Sequence, residues 1–478
     1  MANADVILHP GPAGESASDD FAVYIDGQPL FVYQARVSAV PLNQIWPGYQ
    51  RPLDQTELAS FACWDMGRPV SVEVVSRRPV DSVETRPLSL QISPVLNGNR
   101  ICFTLERPVQ VTVEVNGYHH ALHLFASPPE EYRPDPDDPA VRYFGPGIHR
   151  PGLIELHSGE TAYLAGGAVV HGAITAREAQ GIRVLGRGIL DLSGYERDGG
   201  VWGAFSCYRC ADVVVDGIVM RDPPSWTLIP SASRNIRIAN LKLIGLWRYN
   251  SDGIDLVNCQ HVQIDRCFVR AFDDCIALKG LKGRKDAVTD DQDMEDILVT
   301  DCVIWNDWGR ALEIGAETCA DLMRDITFRN CDIIRVNHVA LDIQHGDRAL
   351  VTNVRFENIR VELDANPLPA LIQREKGERY PLKDDYGFCP RLMVVEIKET
   401  GWNRDPVRGN VRGVQFEDIQ VSTPKHVPAS EFSGYDDTHT TEDVTVRRLT
   451  INGRPVRTTN EGRITVGPHA RNVRILAE

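Results

Sequence analysis

Asp252, Asp273 and Asp274 are the residues of this chain whose type and spacing could do chemistry. Asp252 stands in Asn250-Ser251-Asp252-Gly253-Ile254-Asp255, and the adjacent pair stands in Ala271-Phe272-Asp273-Asp274-Cys275-Ile276-Ala277-Leu278. Each acidic turn leads straight into a strand-like apolar run. Carboxyls brought together raise one another's pKa, because joint ionisation is disfavoured. One carboxyl kept protonated can then donate to a leaving oxygen while ionised neighbours activate water, the acid and base pairing that hydrolyses a glycosidic bond. Aspartate also caps turns, and for the isolated Asp255, Asp265, Asp301 and Asp332 the turn-capping role is the expected one.

A repeat must position these acids. An apolar alternation with Asn, Asp or Gly at its corner starts at Gly181, Ala211, Asn235, His261, Asp296, Asp325, Asn353 and Gly413, with last turns from Glu442 and Asn472. Most starts up to Gly413 lie 24 to 35 residues apart, and the double gap before Gly413 leaves room for one more turn around Leu392 to Ile397. This period, with strand character and almost no helix signature, predicts a parallel β-helix over residues 141–478. Asp252 precedes the acidic pair by 21 and 22 residues, close to one coil, so stacking makes the three neighbours. Asp273 and Asp274 have opposite parity on a regular strand, so both can face one cleft only if the chain bends between them. Cys267, Cys302 and Cys331 hold the same place in three repeats and read as a buried ladder of small apolar groups.

Residues 1–127 read as a separate antiparallel β-sandwich, with strand-like runs such as Val70-Ser71-Val72-Glu73-Val74-Val75 and hairpin dipeptides at Asp26-Gly27, Asn97-Gly98 and Asn116-Gly117. The Pro- and Asp-rich stretch 128–140 reads as a linker. The whole is all-β, and its 42% apolar content suffices for a packed core.

The formal charge of −15, from 66 acidic against 51 basic residues, argues against nucleic acid as a partner. No apolar run approaches the roughly 20 residues that span a bilayer, and the first residues show neither a basic nor a long apolar leader, so no membrane association and a cytoplasmic setting are expected. The 11 scattered cysteines read as reduced thiols; Cys207 and Cys210 form the one CxxC pair and, lacking a second pair at zinc spacing, read as buried structural thiols. No metal and no cofactor are expected, and a homo-oligomer is allowed.

Four ordered motifs carry a resemblance. Pro224-Ser225-Trp226, Asn250-Ser251-Asp252-Gly253, Asp273-Asp274-Cys275-Ile276-Ala277-Leu278-Lys279 and Gly309-Arg310-Ala311-Leu312-Glu313-Ile314-Gly315 resemble the signature of the polygalacturonase family, glycoside hydrolase family 28, over about residues 140 to 425. The resemblance implies a right-handed parallel β-helix and hydrolysis with inversion, Asp273 as general acid, and Asp252 and Asp274 activating the water. Spacing alone assigns none of those roles and does not choose inversion over retention. The family's Gly-His-Gly motif falls on Gly309-Arg310-Ala311, and its Arg-Ile-Lys motif, which holds a uronate carboxylate, falls on Asp342-Ile343-Gln344. An acid in place of a cation there disfavours a galacturonate partner. A neutral carbohydrate is the expected substrate, with Asn250, Arg310, Asp342, Gln344, His345 and Trp308 as binding residues and Trp305 and Trp247 as further stacking surfaces. A β unit ahead of a β-helix is also similar in layout to the dextranase and isopullulanase family, glycoside hydrolase family 49, which cuts neutral glucans.

Three alternatives share these residues: a polysaccharide lyase with Ca²⁺ on the aspartates and Arg310 as base, a glycosyl-transferring enzyme, and a non-catalytic carbohydrate-binding solenoid. Segments 281–295 and 363–390 are expected to border the cleft, where long loops could close one end.

Overall fold

The computed structural model describes residues 6–39, 53–132, 134–197, 199–281, 292–363, 390–424 and 427–478. Segments 282–291 and 364–389, which hold most of the two expected cleft-border loops, lie outside the described residues. No α-helix occurs among the described residues, and the helical turns there are two 3-10 turns, Leu53–Gln55 and Leu88–Leu90.

One coil of the solenoid consists of three short strands, for example Arg234–Ala239, Lys242–Leu246 and Ile254–Val257. The next coil repeats them as Gln260–Asp265, Phe268–Ala271 and Ile276–Leu281. Like strands pair in parallel and in register, giving a 13-stranded sheet from the first strands and a 21-stranded sheet holding the other two. In the first sheet Val213, Ile236, Val262, Ile297, Ile326, Val354, Val414 and Val444 form one ladder, the first branched apolar position of each repeat. Further along, Phe328, Phe356 and Phe416 stack ring on ring at 4.8 and 5.0 Å. The extra turn appears as Arg391–Ile397. A parallel β-helix is therefore the architecture, as the repeat predicts.

The recurring Asn and Asp have a backbone reason. Asn235, Asp296, Asp325 and Asn353 at the repeat starts, and Asn240, Asp301, Asn330 and Asn358 at the corners, all have φ between 51 and 57°. That left-handed conformation is costly for most side chains and tolerated by Asn and Asp. Cys267, Cys302 and Cys331 are fully buried one above another, their thiols donating to the carbonyls of Asp265, Thr300 and Arg329. All cysteines among the described residues are free, Cys207 and Cys210 included.

The N-terminal unit is two sheets closed over an apolar core that includes Phe21, Trp64, Val72, Phe103 and Leu124. The five-stranded sheet is antiparallel throughout. The six-stranded sheet is antiparallel except where Leu122–Ser127 runs parallel to Thr56–Asp65. Several strands intervene between those two, so no hairpin forces them antiparallel. The solenoid's first strand is Val141–Phe144.

The sandwich is docked along the solenoid's middle strands. Tyr33, Phe61 and Phe125 pack on Val219, Ile244, Phe268, Val303, Trp305 and Ile334, the outward residues of successive coils. Buried ion pairs pin this seam, among them Arg187 to Asp65 at 2.6 Å, Arg335 to Glu114 at 2.7 Å and Arg86 to Glu362 at 2.5 Å.

Candidate active site

The loops between the second and third strands of successive coils stack along one edge of the solenoid, and the three acids sit on them. Asp252 ends the loop that precedes Ile254–Val257, and Asp273 and Asp274 lie in the bend between Phe268–Ala271 and Ile276–Leu281. This is the bend that adjacent acids need in order to share a cleft. The register carries through the loops: Ile254 pairs with Ile276 and Ile276 with Leu312, which puts Asp252, Asp274 and Arg310 in one column.

Backbone contacts between coils hold that column. The Asp252 carbonyl accepts from Thr227 N at 3.0 Å and Thr227 Oγ1 at 2.6 Å, and the Asp274 carbonyl accepts from Gly253 N at 2.8 Å. Ser225 Oγ donates to the Asn250 carbonyl. Asn306 Nδ2 donates to the Asp273 carbonyl at 2.6 Å. Gly309 lies so close that a Cβ there would stand 2.6 Å from both the Asp273 carbonyl carbon and Asp274 Oδ1. A side chain at 309 would displace the pair.

Two cations and seven carboxyls make the centre. Lys279 Nζ lies 3.7 to 3.8 Å from Asp252, Asp255, Asp274 and Glu317. Arg310 donates from its backbone N to Asp274 Oδ1 at 2.9 Å, and its guanidinium reaches Asp274 at 3.6 Å, Glu313 at 3.5 Å and Asp342 at 3.1 Å. Its Nη2 donates to Gln344 Oε1 at 2.9 Å.

These environments drive the adjacent acids apart. Burial, then the charges of Asp252 and Asp274, pushes the Asp273 carboxyl well above the usual carboxylate range. Burial also raises Asp274, but Arg310 and Lys279 outweigh it and hold its carboxyl below that range. Burial, then the charge of Asp274, pushes the Glu313 carboxyl well above its ordinary range. Asp252 and Asp255 are raised by burial in the first place. The two adjacent carboxyls are thus shifted in opposite directions, the inequality that an acid and base pair requires.

The carboxyls open on a cavity of about 670 Å³, within the range of small-ligand sites. Asn250, Asp252, Asp273, Asp274, Trp308 and Arg310 line it, and Trp308 stacks on Phe272. Asp342 and Gln344 lie behind Arg310 rather than in the cavity wall. His345 is fully buried, Nδ1 against Thr318 Oγ1 at 2.7 Å, and burial pushes it down to about 3, so it is neutral. Its place on the strand Val339–His345 turns it away from the cleft. Trp305 is buried under the sandwich with Arg270 on its ring at 4.0 Å, and Trp247 is buried and donates to Asp222. Neither lines the cavity.

Several site residues escape a reading of the sequence. Lys279 and Glu313 stand inside quoted motifs without a role, and Asp255, read as a turn cap, is a fully buried member of the acidic cluster. Their signal is alternation: Asp255, Glu313 and Asp342 are charges at outward positions in apolar strands, aligned in register through Ala277. Arg197, Trp202, Trp226, Glu317, Trp402 and Arg404 also line the cavity.

Comparison with known proteins agrees with the motifs. The model of Glycosyl hydrolases family 28 matches residues 201–379, a stretch that contains all four. A "Probable polygalacturonase" of Vitis vinifera is 34% identical over 70 residues, 14% of this chain and 14% of that protein. A second curated relative is matched over 20% of its length, so the chain spans a small part of either. Among solved structures, Dex49A from Penicillium minioluteum superposes with a TM-score of 0.59 at 15% identity, covering 99% of each chain. That likeness is one of fold, and it embraces sandwich and solenoid together. A hyperthermoactive exopolygalacturonase from Thermotoga maritima gives a TM-score of 0.48 at 17% identity, covering 71% of this chain and 84% of that one.

Proposed function

We propose that this polygalacturonase-like glycoside hydrolase cleaves the O-glycosidic bond of a neutral poly- or oligosaccharide by an inverting acid and base mechanism. Asp273 donates its proton to the leaving oxygen. Asp274, with Asp252, takes the proton of a water that attacks the anomeric carbon from the opposite face. The observation that carries this reading is geometric: Asp252, Asp273 and Asp274 open on one cavity, and Asp274 has Lys279 at 3.7 Å and Arg310 at 3.6 Å.

The charges around the three acids support a neutral substrate. Arg310 faces three carboxylates and Gln344, and Lys279 faces four carboxylates, so neither is free to receive a uronate. The acid at 342 is answered by the cation at 310, an exchange of charges relative to the family motifs that leaves no open cation at that subsite.

The test is a screen of neutral oligosaccharides with the first-formed anomer followed by NMR. The expected result is release of reducing ends with inverted configuration, abolished in Asp273→Asn. A retained anomer would make one of the acids a nucleophile, and an unsaturated ultraviolet-absorbing product would replace hydrolysis by elimination.

A further inference from the structure

Arg197 stands outside every motif, between the strand Ile189–Asp191 and the cleft, yet it reaches the catalytic centre through two hydrogen bonds. Its Nη1 donates to the Tyr249 carbonyl at 2.8 Å, and its Nη2 donates to Asn250 Oδ1 at 2.8 Å. The guanidinium lies 4.2 Å from the Tyr249 ring centre and 5.7 Å from that of Trp202. Two aromatic faces therefore fix the plane of the donor fork.

Asn250 is the intermediary. Its backbone is left-handed, with φ of 56°, and its amide has one acceptor and one donor end. With Oδ1 taken by Arg197, Nδ2 is turned toward Asp252 Oδ1 at 3.2 Å. The reversed amide would set an oxygen against the Asp252 carboxylate and an N–H₂ against the guanidinium, two repulsive contacts in place of two hydrogen bonds. Arg197 has no carboxylate partner within 4 Å among the described residues, so its positive end acts on Asp252 through the amide.

We infer that Arg197 is a positioning residue: it sets the orientation of the Asn250 amide and so fixes the Asp252 carboxyl in the direction of the attacking water. The inference rests on the reading of Asp252 as one of the water-activating acids. A lysine could not replace it, because one ammonium cannot serve the Tyr249 carbonyl and the Asn250 amide in the same plane.

Arg197→Met keeps the stem against the rings and removes both donors. With a neutral oligosaccharide as substrate, kcat is expected to fall about tenfold, the scale of one charge-assisted hydrogen bond. KM is expected to stay nearly unchanged, and the acid limb of the kcat profile to move to higher pH. Asn250→Ala combined with Arg197→Met is expected to be no worse than Asn250→Ala alone, because both act through one link. Added guanidinium ion is expected to restore part of the activity of Arg197→Ala. A raised KM with an unmoved pH profile, or additive losses in the double variant, would overturn the inference and leave Arg197 a substrate contact. A second readout needs no turnover. The Asp252 side-chain carboxyl ¹³C resonance, assigned with Asp252→Asn, is expected to titrate at higher pH in Arg197→Met than in the unaltered protein. Equal titration overturns the inference even where the unaltered chain hydrolyses, whereas a chain that hydrolyses nothing but shows the shift overturns the hydrolase reading alone.

Discussion

Two neighbouring carboxyls can divide a reaction only while the charges around them stay unequal, and Arg310 makes them so here. It donates its backbone N–H to Asp274 and holds its guanidinium 3.6 Å from that carboxylate, while on Asp273 burial and the like charges of Asp252 and Asp274 outweigh the same cations. The sign of the pH dependence follows. Asp274 lies below its ordinary value, so activity should fall on the acid side only once pH passes beneath the usual carboxylate range. Asp273 lies above, so the alkaline limb should fall above that range. Arg310→Met is expected to raise the part of the acid limb that Asp274 contributes and narrow the window between the two, and Asp274→Asn to remove that part with a loss of about 10²- to 10⁴-fold in kcat. A profile unaltered in Arg310→Met would mean that Asp274 is not the group being titrated. Gly309→Ala tests the same centre sterically. Its Cβ would meet the Asp273 and Asp274 backbone, so the pair must move, and a displacement near 1 Å is expected to cost about 10²-fold in kcat. Near-normal turnover in that variant would mean the loops yield without disturbing the acids.

At the scale of strands, the solenoid was legible because each coil repeats the same backbone demand. Asn or Asp recurs where φ is near 55°, and an apolar ladder recurs at the first branched position of each repeat. The docking of the sandwich was harder to see. Val303-Ile304-Trp305 is apolar on both faces, Ile304 toward the solenoid core and its neighbours toward the sandwich. A continuous apolar run of this kind reads equally well as a buried strand of one domain. Trp305 and Trp247 were therefore open to being taken for cleft surfaces. Lys279, Glu313 and Glu317 gain their meaning only from contacts between coils, which depend on exact register. The seam makes its own prediction through Glu114, which lies buried between Arg335 at 2.7 Å and Arg86 at 3.0 Å. Burial raises its carboxyl, but the two arginines outweigh it and hold it below the ordinary range. Its contribution to stability is therefore present above pH 4.5 and lost as pH falls through the lower folded value. Glu114→Leu leaves two buried guanidinium groups without this partner and is expected to destabilise by about 3–5 kcal/mol in urea unfolding. A loss below about 1 kcal/mol would mean that the existing pairs of Arg86 with Glu84 and Glu362 suffice for it and that Arg335 finds another acceptor or water.

Over the whole molecule, charge separates the neutral substrate from its rival. The chain carries −15 formally, and its centre sets seven carboxyls against two cations. A negative field slows the approach of a polyanion and leaves a neutral sugar unaffected. The cleft wall also carries Arg197 and Arg404, the latter 4.0 Å from Glu317. A substrate with acidic groups beside these arginines would be drawn in rather than repelled. Salt distinguishes these cases, because screening at about 0.5 M shrinks the reach of exposed charges to a few Å. For a neutral oligosaccharide kcat/KM is expected to stay within about twofold between roughly 0.02 and 0.5 M NaCl. A galacturonate oligomer, if cut at all, is expected to be cut faster as salt rises and repulsion is screened. A steep fall of kcat/KM with salt on the best substrate found would mean that arginines of the cleft are gripping an anionic chain, and the neutral assignment would have to be abandoned.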